Sequence, residues 1–284
     1  MIRFAVVTDI HYGFNQGRKV GAKAPSLVDR FVRVANKKKA DFAVDLGDRI
    51  INTNSRTDLL KELNLNSPKE LDLHFLKELK EQFNRLSMPK YSVHGNHDLG
   101  HLTRQGNAEV LKVPGDSYSL NIKGFHLVFW NPEVRLNNDK LLTATADDLA
   151  WLRSDLKQQS KLPTILFSHI PLDNEGQEGM PSAETGWYFP SFYTQGPEIR
   201  EILEKAPSRV LLCMAGHRHR NQHREINGIH YITHQSLTQR SKTTRHPHGA
   251  FSIVDIDKDV IQIKGYGSGQ PDRILPLASG RGPG

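Results

Sequence analysis

The sequence predicts an α/β domain in which two sheets pack face to face with helices outside. Two observations carry that expectation. In the first half, short β-branched or aromatic runs alternate with amphipathic helical patterns, and a hairpin signal interrupts the alternation. Beyond residue 216 the pattern becomes all strand, with tight turns between the runs.

Taken in order, "RFAVV" (3–7) reads as the first strand and "SLVDRFVRVANKKK" (26–39) as a helix with Ser26 as its N-cap. "DFAVDLG" (41–47) is a strand, "PKELDLHFLKELKEQFNRL" (68–86) a long amphipathic helix and "KYSVHG" (90–95) a strand again. "SYSLNIKGFHLVFW" (117–130) forms a hairpin turning at Lys123-Gly124. Helix (145–160), strand (163–168), helix (197–206) and strand (209–216) follow. The remainder supplies two hairpins, one turning at Asn227-Gly228 and one between Asp257 and Asp259. With no internal repeat and no low-complexity linker, one domain is expected over 1–272, and 273–284 as a flexible tail.

The 284 residues are 37% hydrophobic and 24% charged, an ordinary composition for a soluble protein with a well-buried core. No segment approaches the ~18 consecutive apolar residues of a membrane span. "MIRFAVVTDIH" reads as a strand, not as a signal peptide. The single cysteine, Cys213, excludes an internal disulfide framework and a thiolate zinc cage, and makes a cytoplasmic address the default. A net charge of +7 favours an anionic ligand. The basic runs at 36–39 and 240–248 lack the interleaved aromatics of a single-strand binding surface, so nucleic acid is not the favoured partner. A small phosphorylated molecule is favoured, with a second copy of the chain as a further candidate.

The chemistry is written at strand ends. "FAVVTDIH" delivers Asp9 and His11, "FAVDLGD" Asp48, "YSVHGNHD" Asn96 with His97 and Asp98, "TILFSH" His169, and "LLCMAGHRH" His217 and His219. Ligands in α/β sheets gather at the carboxyl ends of strands. Asp9 and His11, two apart on an extended segment, are expected to point the same way, as are His217 and His219. Carboxylate, amide and imidazole without thiolate suit Mn²⁺, Fe²⁺/Fe³⁺ or Zn²⁺. Seven ligands exceed the needs of one ion. They suit two divalent or mixed-valence ions about 3.5–4 Å apart that share a carboxylate, where a bridging water loses its proton near neutral pH and attacks phosphorus.

In order along the chain, "DIH" (9–11), "GD" (47–48), "GNHD" (95–98), "SH" (168–169) and "GHRH" (216–219) resemble the motif series of the calcineurin-like metallophosphoesterases. The resemblance spans roughly residues 2 to 265 and implies a four-layer αββα sandwich. It places Asp9, His11 and His219 on one ion, Asn96, His169 and His217 on the other, and Asp48 between them. It also makes His97 the residue that hydrogen-bonds the phosphoryl group or protonates the leaving oxygen, with Asp98 orienting it. Ile51 stands where purple acid phosphatases carry a tyrosine, so a tyrosinate-to-iron site is excluded. The motifs look closer to class III cyclic-nucleotide phosphodiesterases and to ADP-ribose/CDP-alcohol diphosphatases.

Candidate substrate contacts are Arg49, Tyr12, Asn52 and Trp187. Arg49 either reaches a substrate phosphate or forms a local ion pair, and Tyr12 and Asn52 either touch substrate or pack their loops. Insertions at 49–67 and 171–196 flank the ligands. The second holds Trp187, Tyr188, Phe189, Phe192 and Tyr193, which either pack the loop or form a wall for a flat leaving group. His94 and Cys213 are read as structural. The functional expectation is hydrolysis of small phosphodiesters or nucleotide-type pyrophosphates. A broad phosphomonoesterase, a nuclease and a non-catalytic scaffold are the alternatives, and the scaffold is disfavoured because no metal ligand is lost.

Overall fold

Alternation along β1 (Ile2–Val7) sets the layering, because successive side chains of a strand leave on opposite faces. Phe4 and Val6 enter a core shared with Phe129, Phe167 and Met214 of a second sheet. Ala5 and Val7 instead meet Val28, Phe31 and Leu76 of outer helices. The computed structural model describes residues 1–52, 56–174, 190–241, 243, 245–257 and 259–277, and the backbone of 180–181 and 188–189.

The first sheet places β1 beside the parallel strands β2 (Phe42–Asp45) and β3 (Lys90–Ser92). On its other side lie β10 (Phe251–Ile256), β11 (Val260–Tyr266) and β12 (Arg273–Pro276), all antiparallel to their neighbours. In the second sheet, β5 (Phe125–Phe129), β6 (Thr164–Phe167), β7 (Val210–Ala215) and β9 (Ile229–Thr233) are parallel. Its edges are the hairpin partners β4 (Tyr118–Ile122) and β8 (Gln222–Ile226).

Rings bridge the two sheets. Phe4 stacks on Phe42 at 5.0 Å and meets Phe167 edge-on at 5.6 Å, while Phe129 stacks on Phe167 at 5.0 Å. Each such buried ring contributes roughly 1.5–3 kcal/mol through burial. Helices α1 (Ala24–Lys38), α3 (Pro68–Phe83) and α4 (Arg104–Leu111) cover the first sheet, and α5 (Ala146–Gln158) and α6 (Gly196–Glu204) the second. A short α2 (Thr57–Glu62) precedes α3. The layers are helix, sheet, sheet, helix, as expected.

Three local expectations are corrected. Ser26 is not the cap of α1: the helix starts earlier, at Ala24, with Pro25 in its first turn, and Ser26 Oγ donates to the Lys23 carbonyl. Residues 273–276 are not a loose tail but β12, where Ile261 pairs with Leu275 and the buried Leu275 and Leu277 close the inter-sheet core. Helix α4 lies in a stretch where no element was expected, and α2 lies within the insertion at 49–67. The three hairpins turn where expected, with Lys123 and Asn227 at φ of 48° and 51°. Among the described residues no helix is long and apolar enough to cross a membrane.

Candidate metal centre

The parallel strands of both sheets end at one edge, where their polar loops are tied together by backbone hydrogen bonds. Asp9 N donates to Gly47 O at 3.0 Å and His11 N to Asp48 O at 2.9 Å, joining the first two loops. Gly216 N donates to His169 O at 3.0 Å within the second sheet. His217 N donates to the Asp9 carboxylate at 3.0 Å, which joins the sheets across the site.

Asp9, His11, Asp48, His217 and His219 all have positive φ, between 45° and 68°. Asp and His enter this left-handed region more readily than most residues, at a cost of about 1–3 kcal/mol each. The expected i, i+2 alternation therefore does not operate here, because these segments are tight turns and not extended chain. The turns still bring Asp9 and His11 together, but they send His217 and His219 to different places.

Ligand atoms of Asp9, His11, Asp48 and His219 all lie within 4.8 Å of one another, and those of Asp48, His169 and His217 form a second group. Asp48 is common to both. Its Oδ2 lies 3.9 Å from His11 Nε2, and its Oδ1 lies 3.5 Å from His169 Nε2. Asn96 Oδ1 joins the second group at 3.3 Å from His169 Nε2.

The donor set fits cations. His169 Nδ1 donates to Leu46 O at 2.8 Å, His217 Nε2 to Pro190 O at 3.2 Å and His219 Nδ1 to Gln239 Oε1 at 2.7 Å. These bonds fix the proton on the outer nitrogen of each ring and leave a lone pair on the inner one. The inner nitrogens are crowded: His169 Nε2 and His217 Nδ1 are 3.2 Å apart, and His11 Nε2 and His219 Nε2 are 2.9 Å apart. Between His169 and His217 both facing nitrogens carry lone pairs, which repel at that separation unless a positive ion sits between them. No thiolate is present, since Cys213 is buried in β7.

Electrostatics agree with that reading. Burial pushes the Asp48 carboxyl up to about 6, with His169 opposing and Asp9 and Asp98 adding to the rise. Burial also acts to raise Asp9, but His219 beside it, with His169 and Thr8, holds it below the usual range. Burial, then the positive charge of Lys19, drive His11 and His97 well below the ordinary histidine value.

His97 packs its ring edge-on against His11 at 4.7 Å, and its backbone N–H donates to Asp48 Oδ1 at 2.8 Å. Asp98 does not orient it. The Asp98 carboxylate instead accepts the backbone N–H groups of Asp48 (2.9 Å), Arg49 (2.8 Å) and Gly95 (2.8 Å). It is therefore a positioning residue for Asp48. Gly95 is required by the same packing, because a Cβ there would collide with the Asp48 carboxylate and amide.

Two of the four expected substrate contacts are corrected. Arg49 is fully buried; its guanidinium donates to Asp45 (2.9 Å), Val93 O (2.8 Å) and His94 Nδ1 (2.8 Å) and pairs with Asp98 (3.1 Å). It cannot reach a substrate phosphate without leaving that network. Tyr12 is buried beneath the loop against Phe75. Asn52 is half-buried, and its N–H lies 3.4 Å from His97 Nδ1. Trp187 lies outside the described residues, as do the side chains of Tyr188 and Phe189. Tyr193 packs on Trp130 in the core and so serves the loop, not a substrate wall.

Two site residues were not foreseen. Lys19 Nζ sits 2.9 Å from His97 Nε2. Arg218, buried between His217 and His219, ties the 171–196 insertion at both ends, to Asp173 at 3.4 Å and to Ser191 O at 3.4 Å. For Arg218 the sequence signal was its place inside "GHRH"; for Lys19 there was none, because its partner lies 78 residues away.

Comparison with known proteins agrees with this geometry. The chain is 26% identical over 238 residues to a manganese-dependent ADP-ribose/CDP-alcohol diphosphatase of Arabidopsis thaliana, covering 67% of this chain and 71% of that protein. It is 22% identical to a protein of the same description from Oryza sativa subsp. japonica, covering 93% and 91% of the two chains. A dimetal phosphatase from Danio rerio shares the fold, with a TM-score of 0.77, 16% identity, and 98% and 99% of the chains covered. The calcineurin-like phosphoesterase family matches residues 2–221. The chain belongs to the calcineurin-like phosphoesterase family and is a metal-dependent hydrolase of phosphoric esters.

Proposed function

We propose that this protein is a manganese-dependent diphosphatase that hydrolyses nucleotide-type pyrophosphates such as ADP-ribose or CDP-alcohols. The observation that carries the reading is Asp48 standing between two groups of metal-ligating side chains, in a chain whose relatives bear that description. Asp9, His11 and His219 would hold one ion, Asn96, His169 and His217 the other, and Asp48 both.

When bound, the two ions supply Lewis acidity and a nucleophile at neutral pH. The chain's own residues do the rest. Leu46 O, Pro190 O and Gln239 Oε1 fix the ring orientations, so that nitrogen lone pairs face inward. Asp98 fixes Asp48 through its backbone amide. His97, held beside His11, hydrogen-bonds the phosphoryl oxygens or the leaving oxygen as negative charge builds there. A single buried cysteine also fits the cytoplasm, where such metabolites would be met.

The test is turnover of Mn²⁺-loaded protein on ADP-ribose, bis(4-nitrophenyl) phosphate and 4-nitrophenyl phosphate. The expected order of kcat/KM places ADP-ribose first. Preference for the monoester would replace the proposal with a broad phosphomonoesterase.

A further inference from the structure

A short ribbon beside the metal ligands brings a cation to one side of the centre. Its strands, Asn15–Gln16 and Lys19–Val20, pair antiparallel, and Lys19 also bridges to Gln239. Val20 N donates to Thr238 O at 3.1 Å, and Arg240 N donates to Arg18 O at 3.0 Å. The Arg18 guanidinium returns two bonds to Arg240 O, at 3.2 and 2.8 Å. Gln239 itself accepts from the ligand His219. The ribbon is thus clamped to the segment 238–240, whose Gln239 orients His219, and Lys19 leaves it toward His97.

His97 in turn rests on His11, so the Lys19 ammonium stands on the side of the Asp9, His11 and His219 group. Among the described residues the other side differs: His217 meets the carbonyl of Pro190, and the guanidinium of Arg218 meets Asp173 and Ser191 O.

We propose that Lys19 is a specificity-determining residue that receives the departing phosphate of a diphosphate substrate. The inference rests on the diphosphatase reading above. In that reaction the oxygen of water bonds to one phosphorus, and the bridging P–O bond breaks with its electron pair going to the second phosphate. The water's proton passes to solvent. A departing phosphate leaves as an anion and needs a cation near it, not a proton. An alkoxide leaving from a simple ester needs a proton. An ammonium beside His97 answers the first demand, so it favours diphosphates over simple esters.

The test compares Mn²⁺-loaded wild type, Lys19→Met and Lys19→Arg by the ratio of kcat/KM for ADP-ribose to that for 3′,5′-cyclic AMP, a diester whose leaving group is an alkoxide, with metal content measured on each sample. Lys19→Met is expected to lower the ratio at least about tenfold with both ions retained, and Lys19→Arg to recover most of it. A parallel fall on both substrates, no change on either, or loss of metal in both variants overturns the role of Lys19 alone. A wild type that cleaves ADP-ribose no better than 4-nitrophenyl phosphate overturns the diphosphatase reading and this role with it.

Discussion

Asp98 holds Asp48 by its backbone: one carboxylate oxygen of Asp98 accepts the Asp48 N–H at 2.9 Å and the Gly95 N–H at 2.8 Å. The other accepts Arg49 N–H at 2.8 Å. Two loops 50 residues apart are thereby fixed around the carboxylate that faces both groups of ligands. Replacing Asp98 by Ala leaves those amides unpaired and the Arg49 charge less compensated. A loss of about 3–5 kcal/mol in urea unfolding is expected, with reduced Mn²⁺ content. Full metal content with lost turnover would instead make Asp98 a partner of His97.

Arg49 offers a second test of the same network. Arg49→Met should lower thermal stability and metal content together, because Asp45 and Asp98 lose their buried counter-charge. An intact, fully loaded variant whose only defect is a raised KM would restore Arg49 to the substrate.

The pH dependence follows from Asp48. Burial raises its carboxyl to about 6 in the metal-free protein. A raised folded-state value means the contribution to stability is present below the ordinary carboxylate range and is lost as pH rises through about 6. Cation binding requires the ionised form, so Mn²⁺ offsets that loss where it is greatest. The rise in Tm on adding Mn²⁺ should therefore be larger at pH 7.5 than at pH 5, as read by calorimetry at fixed free metal. A rise that is equal at both values, or larger at pH 5, would contradict the sign.

Asn96 and His97 are neighbours with separate expected effects. Asn96→Ala should lower occupancy of the ion shared with His169 and His217, as seen by elemental analysis. His97→Ala should keep both ions and lose turnover by ~10²–10⁴-fold. Equal metal loss in the two variants would refute the division.

Much of this was legible in the chain. Short β-branched or aromatic runs alternating with helical patterns and hairpins marked the layers, and the ligand motifs marked the sheet edge. What could not be read depends on contacts between distant segments. Arg49 follows a ligand, yet whether it faces outward or into Asp45 and His94 is decided by β3 lying beside β2. "RILP" runs into the Gly-rich end of the sequence, and only its pairing with β11 marks it as a strand. Lys19 meets His97 because a two-residue ribbon docks on 238–240. The left-handed turns at the ligands have no periodic signature at all.

The central claim is that two ions share Asp48. Electron paramagnetic resonance of Mn²⁺-titrated wild type and Asp48→Asn tests it most directly. The wild type should take up two Mn²⁺ per chain and give the spectrum of an exchange-coupled pair, which Asp48→Asn should abolish. One ion per chain, or two that remain magnetically independent in the wild type, would contradict the account.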